Sequence, residues 1–136
     1  MKTLNQFKSL LLLGVFAISI MGFMAMKSEI NGEWVVPAEY KTKKNTTNGK
    51  DDGSGKKLYA LHCKSCHGSN GLNDGPKAKN MKAPMRKFNE TAVQNQTDGE
   101  LYYKSIIGRD EMPNYEKKIK DETDRWMLVN YIRTLK

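Results

Sequence analysis

The sequence predicts an all-α protein with three main helices. No stretch alternates apolar and polar residues as a half-buried strand does, three segments carry paired helix start and stop signals, and the last bears an apolar stripe at helical spacing. All three lie within residues 54–136, so this part reads as the folded domain. A chain of 136 residues has room for that one small domain and for further segments before it.

The first helix is expected to start at Ser54 as N-cap and to run through "GKKLYALHCKSCHG" to Gly68, a natural stop. The second begins at Thr97, which forms a capping box with Glu100, and continues through "DGELYYKSIIG" to Gly108. The third begins near Asp121, with Glu122 and Asp124 in its first turn, where acids complement the helix dipole. Trp126, Val129 and Ile132 or Arg133 form its stripe, broadened by Leu128, Tyr131 and Leu135. A long loop containing Pro76 and Pro84 separates the first two helices.

The N-terminal part has a different character. Residues 10–26, "LLLLGVFAISIMGFMAM", hold no charge and follow Lys2 and Lys8. A basic start and an apolar run make an export signal or, uncleaved, a membrane anchor. Either places the remainder on the periplasmic side of a cytoplasmic membrane. Residues 27–53 are polar and lack helical periodicity, which reads as a tether. Within it "EWVVPAEY" is too apolar for a free linker and is suited either to pack on the domain or to meet a partner.

The formal net charge is +8, and its excess lies mainly in residues 54–136, with a cluster at Lys77, Lys79, Lys82, Arg86 and Lys87. An exported chain does not meet nucleic acid, so an acidic protein surface is the expected partner.

Both cysteines and both histidines fall within "HCKSCH", residues 62–67. Cys-x-x-Cys-His is the attachment sequence for c-type haem. Cys63 and Cys66 project from one side of a helix end, where each thiol can add to one vinyl group. His67 follows on the same side and can reach the iron. Three other readings fit less well. A redox Cys-x-x-Cys expects strands around it, a zinc site needs four ligands, and a disulfide of this span is strained. His62 reads as exposed and idle.

A second iron ligand must come from elsewhere. Met112, followed by Pro113 between the second and third helices, is the expected one. Met81 and Met85 in the basic loop are the alternatives, and Met127 belongs to the core of the last helix. With His67 and Met112 both bound, the iron offers no open position, and no small-molecule substrate is expected. Were Met112 not to ligate, a five-coordinate sensor or peroxidase-like protein would follow.

These features in order resemble the small monohaem class I cytochromes c. Gly55 and Tyr59 match a Gly-x-x-x-aromatic pattern, "CKSCH" the attachment motif, "MP" its downstream partner, and Leu128 with Tyr131 a Leu-x-x-aromatic pattern. The resemblance covers about residues 53–136. It implies three helices around one covalently bound haem c, with Gly55 at a close crossing of the first and last helices. It implies an electron-transfer protein rather than an enzyme, working as a carrier or as the haem subunit of a larger complex. It also implies that a backbone carbonyl beside Pro76, in "DGP", accepts a hydrogen bond from the His67 ring.

Overall fold

Two aspartates, rather than a serine, begin the first long helix. In a computed structural model that describes residues 34–136, Asp51 Oδ1 accepts from the amides of Gly53 and Gly55, and Asp52 Oδ1 from that of Ser54. Gly53 is the N-cap, with φ of 93°, and Ser54 is already helical. The expected Ser54 cap is therefore displaced by one residue, because the carboxylates upstream satisfy the orphan amides first.

Among the described residues the α-helices are α1 (Ala38–Lys41), α2 (Ser54–His62), α3 (Lys64–His67), α4 (Thr91–Gln94), α5 (Asp98–Tyr102) and α6 (Glu122–Thr134). A 3-10 turn spans Ala78–Asn80, and α5 continues as a π-helical turn over Tyr103–Ile107. The only β-like pairing among them is an isolated bridge between Arg109 and Met112. The first expected helix is thus two segments, broken at Cys63. The other two begin where the sequence places them. Thr97 and Glu100 complete a reciprocal capping box, and Asp121 Oδ1 accepts from the Thr123 amide.

Helices α2 and α6 cross at Gly55. A Cβ there would run into the main-chain carbonyl of Met127, a contact that no side chain could relieve. Tyr59 and Tyr131 pack beside the crossing with ring centroids 5.2 Å apart. Trp126, Leu128 and Val129 of α6 and Ile106 of the π turn are fully buried. Each such side chain contributes about 1.5–3 kcal/mol by leaving water. The Tyr59 hydroxyl reaches past the end of α3 and donates to the Gly68 carbonyl (2.8 Å).

Residues 36–50 are not a free tether. Val36 is buried, and Tyr40 lies against Tyr102 and Tyr103 at 6.3 and 4.8 Å. A Cβ on Gly99 would strike the Tyr40 carbonyl, so the strap and α5 touch through their backbones. Lys43 pairs with Glu122 at 2.7 Å and stands over the rings of Tyr102 and Trp126. Asn45 Nδ2 donates to both Asp98 Oδ2 (2.9 Å) and Asn130 Oδ1 (2.7 Å). The polar composition that suggests a linker is spent on specific bonds to α5 and α6. The apolar pair Val36 and Tyr40 packs on the domain itself. No helix among the described residues is long and apolar enough to cross a membrane. The apolar run at 10–26 and residues 27–33 lie outside the described residues.

Candidate functional site

Cys63, Cys66 and His67 are brought together by the break between α2 and α3. Cys63 has helical φ and ψ of −111° and −37°, and its carbonyl accepts from the amides of Cys66 and His67. One tight turn therefore presents all three side chains. Both thiols are free, Cys63 buried and Cys66 half-buried. Burial, with a smaller contribution from Cys66, pushes the Cys63 thiol up to about 12. It is held as a neutral thiol in an apolar wall.

The loop after α3 closes back on it. The amides of Asn73, Gly75 and Lys77 donate in turn to the carbonyls of His67, Cys66 and Ser65, at 2.9, 3.3 and 2.9 Å. Alternate residues face the helix end and satisfy its orphan carbonyls. Gly75 is closely enclosed: a Cβ would come within 2.5–2.7 Å of the carbonyl oxygens of Ser65, Lys64 and Cys66. Pro76, between two facing residues, is exposed and needs no amide there.

This geometry corrects the role expected near Pro76. The partner of His67 Nδ1 is the side chain of Asn73, with Oδ1 at 3.2 Å. Asn73 Nδ2 donates to the Met85 carbonyl (2.8 Å), so its oxygen is the end that faces the imidazole. Nδ1 is therefore the protonated nitrogen, and Nε2 keeps its lone pair. Asn73 reaches this position with φ of 61°, a left-handed conformation that asparagine tolerates. Burial lowers the His67 pKa, and the Asn73 bond opposes that shift. Phe88 stacks on it at 4.6 Å and 23°.

Met112 sits in a short turn after the π segment. Gly108, with φ of 70°, leaves no space for a side chain beneath the carbonyls of Met112 and Pro113. The Met112 amide donates to Arg109 (2.8 Å), and the Tyr115 amide to Ile106 (2.7 Å). The Tyr115 hydroxyl donates to the carbonyl of His62, the residue before Cys63 (3.0 Å). His62 is half-buried rather than idle: its ring packs on Tyr115 at 5.3 Å, and burial first, then Lys118, lowers its pKa. The Met112 side chain packs against the buried cluster that contains Ile106 and Tyr115. Met81 and Met85 instead line a cleft of about 630 Å³ with Asn73, Pro76 and Pro84.

The donor set suits a covalently attached porphyrin. Two free thiols stand three residues apart, an imidazole offers Nε2, and thioethers and prolines supply apolar lining. Asn73, Phe88 and Tyr115 hold this arrangement, yet no motif announces them. Only the turn-forming "NDG" around Asn73 hinted that the chain reverses there.

The family model described as Cytochrome c matches residues 54–136. Among curated proteins, no relative matches the chain. With more than half of its length matched and the Cys63, Cys66 and His67 pattern folded into one turn, the chain belongs to the cytochrome c family and carries one covalently attached haem c.

Proposed function

We propose that this protein is a one-electron carrier whose haem iron is held by His67 Nε2 on one side and Met112 Sδ on the other. The haem supplies an Fe(III)/Fe(II) couple when bound. The chain's own contribution is to fix and shield it. Asn73 orients the imidazole and, by accepting its proton end, makes it more electron-donating. Buried Cys63 and the packed aromatic rings keep water away from the attachment turn. The observation that carries the reading is an imidazole whose Nδ1 is engaged by Asn73, directly after the second of two free thiols.

Met112 is preferred over Met81 and Met85 because its turn is fastened to the core and to the residue before Cys63, while theirs lines an exposed loop cleft. Met112→Ala should abolish the thioether–iron band at the red end of the oxidised spectrum and lower the midpoint potential. An unaltered spectrum would move the ligand to Met81 or Met85.

The partner is an acidic protein surface. Lys77, Lys79, Lys82, Arg86 and Lys87 are all exposed on the loop that caps the attachment turn. Neutralising Lys77, Lys79 and Lys82 together should slow electron exchange with an acidic redox protein at low salt and have little effect at high salt. Equal rates at every ionic strength would refute docking through this loop.

Export by the apolar run at 10–26 would place the domain at the periplasmic face of the cytoplasmic membrane. The intact mass of the chain recovered from membrane and osmotic-shock fractions tells a retained anchor from a removed signal.

A further inference from the structure

His67 and Met112, assigned to the two faces of the haem, are linked through the loop between them by hydrogen bonds and short stretches of main chain. His67 Nδ1 donates to Asn73 Oδ1, and Asn73 Nδ2 donates to the Met85 carbonyl. Pro84 precedes Met85 and stiffens the backbone behind it. Just before Pro84, the amides of Ala83 and Lys82 both donate to one oxygen, Glu111 Oε2, at 2.8 and 2.9 Å. Glu111 is the residue before Met112.

The Met112 turn also carries the isolated bridge between Arg109 and Met112, and Asp110 sits in the left-handed region at φ 50°. Glu111 is an exposed acid, and its acceptor oxygen is engaged with main chain 28 and 29 residues away. A carboxylate accepting two adjacent amides makes charge-assisted bonds, which are roughly twice as strong as neutral ones.

We propose that Glu111 is a positioning residue that clasps the Lys82–Ala83 segment and thereby holds the Met112 turn closed on the iron. The inference rests on Met112 being a ligand. Loss of the clasp raises the fraction of molecules in which the turn stands open and an external ligand can bind.

The test uses the full-length, haem-loaded ferric protein with azide as the probe. Glu111→Ala should bind azide about tenfold more tightly than the parent, because both amides and the carboxylate are exposed and water replaces most of what the two bonds contribute. Glu111→Gln, which keeps shape and an acceptor but not charge, should fall between. An azide affinity equal to the parent's in both variants overturns the clasp. Should Glu111→Ala fail to fold, the Gln variant decides alone: tightening supports the clasp and parental affinity sinks it. In a Met112→Ala background, adding Glu111→Ala should produce no further change, and a further change would mean that Glu111 acts other than through Met112. A parent protein without the thioether–iron band overturns Met112 ligation and the clasp together. A parent with the band and insensitive variants overturns the clasp alone.

Discussion

The attachment turn stands between two walls made of different materials. On one side α2 crosses α6 with Gly55 against the Met127 carbonyl, and with Tyr59, Trp126, Leu128 and Val129 packed around the contact. That wall is apolar and periodic. On the other side the loop from Gly68 to Phe88 has little regular structure beyond one 3-10 turn. It is held by amides donating to the ends of α3, by Asn73 on His67, and by the Phe88 amide on the Gly71 carbonyl (2.8 Å). The first wall supplies stability through burial. The second spends hydrogen bonds on placing one ring nitrogen. Stability and ligand geometry can therefore be perturbed separately, and three variants ask how far the separation extends.

The largest effect is expected from Cys63→Ala combined with Cys66→Ala. A domain this small buries too little apolar surface to stand without its covalently held group. It should lose its cooperative thermal transition by circular dichroism. A variant that retains a sharp transition would show that the helix crossing suffices alone. Next comes Gly55→Ala, which strikes only the apolar wall. The added methyl meets backbone rather than a yielding side chain, so a loss of about 3 kcal/mol is expected in denaturant titrations. A loss below about 1 kcal/mol would mean that the crossing can open cheaply. The smallest is Asn45→Ala, in the strap that bonds to α5 and α6. It removes donors to Asp98 and Asn130 and leaves buried Asn130 Oδ1 without that partner. About 1–2 kcal/mol of stability should go, with the midpoint potential unchanged. A shifted potential would tie the strap to the iron environment.

The difference between the walls also explains what the amino-acid order made legible. Helices α5 and α6 announce themselves, because Thr97 with Glu100 and Asp121 are local caps and because Trp126, Val129 and Ile132 repeat at the period of a helix. Gly55 was readable through its resemblance to a known pattern, and the Met127 carbonyl shows why that pattern exists. Asn73 was not readable. Its function depends on a reversal that brings residue 73 back onto residue 67, and on Met85 taking the other end of the amide. Pro76 was singled out through the resemblance to the family pattern, whereas the close approach belongs to Gly75 beside it. The strap was misread for a related reason. Lys43, Asn45 and Thr47 look like linker residues until Asn130, a buried asparagine on α6, is seen to need partners: its Nδ2 donates to Thr47 Oγ1 (2.7 Å) and to the Lys50 carbonyl.

The strap has a mechanical consequence. Its grip is on α5 and α6, through the Tyr40 rings and the forked amide of Asn45, and not on the turn that bears Cys63 and Cys66. Tension applied to the chain ahead of residue 36 would meet those contacts before any pull reached α2 along the chain. The pigment's seat is in this way shielded from whatever tugs at the leading end of the polypeptide.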